Sequence, residues 1–312
     1  MTAGGPAEGR GHVARAVSMA ETLAGAGADV SLELLRGEPT RAQADRLGGL
    51  RVTTGVPAVV DAVLVDLPDP NEIGARWPAG ALAVFDDREW FRGAAALVIQ
   101  PSLDRWSGSA AAGEVLAGYA YAPIRSSLRE LAARPPRQAN TSEVLVCFGG
   151  SDPADVGGRL APAVADAGGW PTTVVVGPDY HGRLDESTDV LRDPPDLDGR
   201  LASATLVVGG AGTMKFELAL LGRPAVLLAV IDDQLPVGPP FAATGAARYV
   251  GDGREIDPAQ VAAAVAALMA DEAARTAMGE RGRTVVDGRG ADRIAAAVLR
   301  LDGASPDSAT LP

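Results

Sequence analysis

The sequence predicts an α/β protein built of two doubly wound, Rossmann-like domains, and three observations carry that expectation. Short apolar runs of strand length alternate with amphipathic stretches nearly from end to end, the pattern of parallel sheets covered by helices on both faces. Three glycine-rich segments stand at or near strand-to-helix junctions: Gly9-Arg10-Gly11-His12, Gly149-Gly150-Ser151-Asp152 and Gly209-Gly210-Ala211-Gly212-Thr213. In open α/β sheets such junctions lie at the carboxyl ends of strands, where ligands bind. The chain's 312 residues, 47% hydrophobic and 22% charged, suffice for two cores of about 150 residues each.

In chain order, the first glycine-rich turn starts after only eight residues, with no apolar strand before it. Either the true start lies upstream, or Met1 to Glu8 supplies an atypical, weak strand, or no strand is needed. His12 to Ala26 then reads as a helix, with Val13, Val17, Ala20 and Ala24 on one face. Strands follow near Val30 to Leu35, Ala62 to Val65, Ala81 to Phe85 and Ala96 to Ile99. Ala132 to Asn140, with Pro135 and Pro136 and no apolar period, is the linker candidate. It sets a first domain at 1–139 and a second at 140–301. In the second, strands are expected near Val144 to Phe148, Thr173 to Val176, Thr205 to Val208 and Ala225 to Ile231, with a helix over Met214 to Leu221. Beyond Pro258 the pattern is helical, and the last helix, Ala291 to Leu301, can return to pack on the first domain. The Ser-, Pro- and Asp-rich tail 302–312 is expected to be disordered.

A formal net charge of −12 argues against nucleic acid and against anionic membrane as partners, since both are held by clustered Lys and Arg. A phosphate must then be met locally, by helix N-termini and a few arginines. No apolar run reaches the length of a membrane span, and no signal-peptide layout opens the chain, so a cytoplasmic protein without membrane insertion is expected. Cys147, the single cysteine, lies in an apolar run and reads as a buried structural thiol. No helical histidine pair or cluster suggests a metal, and no cofactor is expected. Nothing in the sequence fixes an oligomeric state.

The candidate site residues follow from this layout. Glycine lets a backbone approach phosphate closely, and the helix that follows offers unpaired N–H groups and a partial positive charge. This nominates Gly11, Gly149, Gly150, Ser151, Gly212, Thr213 and Met214, although glycine also serves plain tight turns. His12 opens a helix directly after Gly11, where a neutral imidazole is favoured and can act as a base; a capping histidine is the alternative. Arg15, one turn later, and Asp66, at the end of a strand, join the ligand-binding candidates. Glu217 shares a helical face with Thr213, and its carboxylate can accept from ribose hydroxyls. Asp232-Asp233-Gln234 follows a strand directly, as Asp86-Asp87 does in the first half, and either pair of aspartates can instead cap a helix. His181 is expected to be solvent-exposed.

The segments GRGHVAR (Gly9 to Arg15), VFDDRE (Val84 to Glu89), GYAYAPIR (Gly118 to Arg125), VLVCFGGSDP (Val144 to Pro153), GGAGTMKFELALLGRPAV (Gly209 to Val226) and DDQ (Asp232 to Gln234) together resemble the nucleotide-sugar hydrolases of pseudaminic acid biosynthesis. Those enzymes remove UDP from a UDP-linked diacetamido sugar and are in turn similar to the GT-B transferase that adds N-acetylglucosamine in peptidoglycan synthesis. The resemblance implies a GT-B fold, two Rossmann-like domains facing across a cleft, and a small-molecule nucleotide-sugar ligand. It implies that His12 is the base that orients water, that Gly212, Thr213 and Met214 hold phosphate, that Glu217 holds ribose, and that Asp233 and Gln234 face the sugar. Arg192 falls about where the uracil would be held. This chain departs from the family at Asp66-Leu67-Pro68, where the third position should be tyrosine, and at Gln100, where asparagine is expected. The leading expectation is a UDP-sugar hydrolase that needs no metal. The alternatives are a GT-B glycosyltransferase using the same donor and a non-catalytic nucleotide-sugar-binding partner protein.

Overall fold

A computed structural model of the protein describes residues 1–3, 11–36, 51–53, 59–73, 79–134, 142–186 and 188–301. Gly9 and Arg10, most of the candidate linker and the tail 302–312 lie outside them. The strands described are β1 (Thr2–Ala3), β2 (Ser31–Arg36), β3 (Arg51–Thr53), β4 (Val59–Val65), β5 (Ala79–Phe85), β6 (Ala94–Gln100), β7 (Ala111–Ala117), β8 (Val144–Cys147), β9 (Thr172–Val176), β10 (Asp189–Arg192), β11 (Leu206–Gly210), β12 (Ala225–Ala229) and β13 (Arg248–Asp252). The helices described are α1 (Gly11–Gly25), α2 (Ser126–Ala132), α3 (Val156–Asp166), α4 (Leu197–Ser203), α5 (Met214–Leu221), α6 (Gly238–Ala243), α7 (Pro258–Ala270), α8 (Glu272–Val285) and α9 (Gly290–Leu299).

The chain divides into two compact units: Met1–Arg125 with the C-terminal segment from Gly288, and Ser126–Asp287. The sequence-based division falls elsewhere, at 139/140 and 301. The physical reason is packing at both ends. Helix α2 lies against α4 and α5 of the second unit, and α9 lies against α1 of the first.

In the first unit the strands pair as β3-β2-β1 and β4-β5-β6-β7, all parallel. A parallel bridge between Thr2 and Asp66 joins the two pieces. The resulting order, 3-2-1-4-5-6-7, reverses direction between β1 and β4, the topological switch point at which doubly wound sheets bind ligands. The weak first strand is therefore real, though reduced to Thr2–Ala3. On one face Met19 and Leu23 of α1 and Ile294 and Val298 of α9 cover Phe85, Leu97 and Ile99. On the other, Ile73 and Phe91 pack on Val63, Val65, Leu82, Val84 and Val98. β2 and β4 extend beyond Thr2–Ala3. Between them lies a cavity of about 730 Å3 lined in part by Met19, Leu23, Leu32 and Leu64.

The second unit is one six-stranded parallel sheet of order β10-β9-β8-β11-β12-β13, again with its switch point between the first and fourth strands. Val144, Val146, Val174, Val208, Val226 and Leu228 meet Leu160 and Val164 of α3 and Val261, Val265 and Leu268 of α7. Cys147 is buried in β8 as a free thiol. No helix among the described residues is long and apolar enough to cross a membrane.

Candidate functional site

In the first unit, polar side chains collect at the carboxyl ends of the strands around the switch point. Asp66 follows β4, Asp86 and Asp87 follow β5, and α1 starts above them at Gly11 with His12 as its second residue. His12 Nδ1 lies 2.6 Å from Asp66 Oδ1. A carboxylate only accepts, so Nδ1 is the donor of this bond and Nε2 is the ring nitrogen left outside it. The imidazole is partly open, with 19% of its side chain accessible against 2% for Asp66.

Arg15, one turn further along α1, donates to both oxygens of Asp66, from Nε at 2.6 Å and from Nη2, and its Nη1 reaches Asp87 Oδ2 at 2.7 Å. The guanidinium lies over Phe85, 4.3 Å from the ring centroid, and Ser102 Oγ donates to the far oxygen of Asp87 at 2.6 Å. Burial alone would raise the Asp66 carboxyl; the Arg15 guanidinium, and after it His12, outweigh that and hold it well below the usual carboxylate range. Burial likewise opposes the Arg15 charge, but Asp66 and Asp87 hold it firmly protonated. For Asp87, burial is outweighed by Arg15 and the carboxyl is held low.

Asp66 and Arg15 are only 1% and 5% exposed, and their polar atoms are spent on each other, on His12 and on Asp87. Both were expected to bind the ligand; in the structure they hold one another and the imidazole. Asp86 is also internal: its two oxygens accept from the N–H groups of Trp90 and Phe91 at 2.8 and 2.9 Å, closing the loop after β5. Gln100 is fully buried, with Oε1 accepting from Leu103 N at 3.0 Å. Around Pro68, Arg88 donates to the proline carbonyl and stacks 3.5 Å from the Trp90 ring centroid. A cation on an exposed indole thus stands near the position where the resemblance calls for tyrosine.

The second unit has two glycine-rich turns at its own switch point, and they differ. After β8, Ser151 is buried, and Asp152 accepts from Val156 N at 3.0 Å and Gly157 N at 2.7 Å. A carboxylate therefore already occupies the N-terminus of α3. Gly150, nominated with Gly149 and Ser151 for ligand binding, packs closely on Gly177 and accepts from Asp179 N. After β11, Thr213 stands at the N-cap of α5 without a side-chain capping bond. Thr213, Met214 and Glu217 are half-buried, whereas Lys215, Phe216 and Leu218–Leu221 are buried, so the first three share the accessible face of α5.

Gln234 closes the base of this turn. Its Oε1 accepts from Val230 N at 3.1 Å, and a Cβ on Gly212 would stand 3.0 Å from its Nε2, so no side chain fits at 212 without moving Gln234. Gln234, expected to face the sugar, thus also supports the turn. Asp233 remains half-buried beside it, and Asp232 is tied by a 2.7 Å ion pair to Arg254, which also grips Asp252. Arg192 ends β10 and is exposed, as is His181. Among the described residues no cluster of His, Cys, Asp or Glu could hold a metal ion.

Sequence reasoning passed over Lys215, whose ammonium donates to Ala211 O at 2.9 Å from a side chain 1% exposed. One signal was available: it is the only lysine in the chain.

No protein-family model matches the chain. It is 32% identical over 212 residues to the UDP-N-acetylglucosamine–N-acetylmuramyl-(pentapeptide) pyrophosphoryl-undecaprenol N-acetylglucosamine transferase of Rhodopseudomonas palustris (strain BisB18), a match covering 61% of this chain and 56% of that protein. The chain thus spans about half the length of that relative. Among solved structures, MurG of Acinetobacter baumannii superposes over 96% of this chain and 98% of its own, with a TM-score of 0.60 and 18% identity. The spinosyn rhamnosyltransferase SpnG, solved with thymidine diphosphate, covers 97% and 99% with a TM-score of 0.58 and 15% identity. The fold is GT-B. In GT-B terms, the His12 cluster sits at the switch point of the N-terminal Rossmann-like unit, and the Gly212 turn at that of the C-terminal one.

Proposed function

We propose that this chain is a glycosyltransferase that takes a sugar from a nucleoside diphosphate donor, with His12 as its general base. The carrying observation is the imidazole held through Nδ1 by a buried carboxylate; we take Nε2 as the basic atom. On this reading Nε2 accepts the proton of an acceptor hydroxyl as its oxygen attacks the anomeric carbon, and the bond to the diphosphate oxygen breaks on the opposite side. The leaving diphosphate is stabilised by N–H groups at the start of α5, and Glu217, one turn on, receives the ribose hydroxyls. The partial identity to the N-acetylglucosamine transferase and the GT-B neighbours support transfer as the reaction. The motif likeness to nucleotide-sugar hydrolases supports water as the second-choice acceptor.

The test is release of nucleoside diphosphate from UDP-N-acetylglucosamine, other UDP-sugars and dTDP-sugars, with and without a panel of hydroxyl acceptors. Acceptor-dependent release that falls about a hundredfold or more in His12→Ala is the expected result. Equal release without any acceptor makes the protein a hydrolase. Donor binding without release under either condition makes it a non-catalytic binding protein.

A further inference from the structure

The chain carries 40 Asp and Glu against 28 Lys and Arg, so a diphosphate approaches an unfavourable field. Every basic side chain but one is arginine. The exception, Lys215, is buried in the first turn of α5, with its ammonium 4.4 Å from the Phe216 ring centroid and 5.9 Å from that of Phe241. Burying a charge is costly unless it is compensated, and here a hydrogen bond to Ala211 O and two ring faces do so.

That hydrogen bond has a directional consequence. In a trans peptide the C=O and the following N–H point in opposite directions. Lys215 draws the Ala211 carbonyl inward, which turns the Gly212 N–H outward. On the other side of Ala211, its N–H donates to Leu228 O at 2.8 Å, so both peptide planes flanking Ala211 are fixed.

We infer that Lys215 is the positioning residue of the diphosphate turn: it aims the Gly212 N–H at the ligand and supplies a buried positive charge behind it. The inference rests on the donor-site reading above. Binding of UDP, dTDP, uridine and thymidine to the full chain is measured by ligand-observed NMR and calorimetry for the wild type, Lys215→Met and Lys215→Gln. Circular dichroism and urea unfolding identify a variant that does not fold, and the other then carries the comparison. Both substitutions are expected to weaken diphosphate binding about tenfold or more and to leave nucleoside binding unchanged. An equal loss for nucleoside and diphosphate, or no loss for either, overturns the assignment of Lys215 while leaving the donor site intact. A wild-type chain that binds none of the four overturns the donor-site reading itself.

Discussion

His12 and Asp66 are 54 residues apart, and the parallel bridge between Thr2 and Asp66, which sets β1 beside the end of β4, accompanies their approach to within a hydrogen bond. Asp66 acts through His12, so its loss should appear in turnover rather than in substrate affinity. Asp66→Asn removes the negative charge that fixes the Nδ1–H tautomer, and kcat is expected to fall about a hundredfold or more with KM nearly unchanged. A raised KM at constant kcat would instead place Asp66 on the ligand. The same carboxyl makes a stability prediction. Its pKa in the fold is depressed below the unfolded value of about 3.9, so its contribution is complete above that value and is lost as pH falls below it. Urea unfolding between pH 3 and pH 7 should show the first unit weakening below about pH 4, with a shallower slope in Asp66→Asn. An unchanged slope would mean that the Arg15–Asp66 pair does not govern acid stability.

The strands that the sequence made visible and those it hid divide by place in the sheet. Central strands such as β5, β6, β8, β11 and β12 are buried on both faces and read as continuous apolar runs. The unforeseen strands β3, β7, β10 and β13 are the outer strands of the two sheets. With one side open, they carry polar residues such as Glu114, Asp189 and Arg248, and apolar-run reasoning cannot see them. The site divides similarly. That His12, Thr213 and Glu217 stand at or near a helix start was legible from the local sequence. The internal roles of Arg15, Asp66, Asp152 and Gln234 were not, because each depends on a partner supplied by the fold. Helix packing adds a prediction at this scale. A Cβ on Gly282 of α8 would stand 2.8 Å from Ala219 O of α5. Helix propensity alone would favour alanine by about 1 kcal/mol, but overpacking costs about 1–3 kcal/mol and displaces the helix that carries the proposed donor turn. Gly282→Ala is therefore expected to lower stability and nucleotide affinity together in urea unfolding and calorimetry. Gly25→Ala, with nothing within 4 Å of the new methyl, is the control that should do neither.

At the scale of the molecule, the two units are built from the chain in different ways. The second is one continuous segment, Ser126–Asp287, whereas the first needs the C-terminal segment from Gly288 to complete it. Removing α9 would uncover Phe85, Leu97 and Ile99 and remove Ile294 and Val298 from the core. Each large apolar side chain so exposed costs roughly 1.5–3 kcal/mol, and a handful of them consume most of the 5–15 kcal/mol that ordinarily holds a domain together. The fragment 1–125 should accordingly fail to fold alone, while 126–287 should unfold cooperatively on its own, with its six-stranded sheet and both helical layers intact. The chemistry divides along the same line: Gly212, Thr213, Glu217 and Lys215 lie within the continuous segment, and His12 does not. The isolated 126–287 fragment is therefore expected to bind UDP or dTDP with an affinity within about tenfold of the full chain, since the proposed donor contacts are intact, and to release no diphosphate from a nucleotide-sugar. Circular dichroism, calorimetric titration and a release assay on that fragment check the three parts separately. A folded fragment that binds no nucleotide would move the donor site away from the α5 turn, and one that still releases diphosphate would remove His12 from the mechanism.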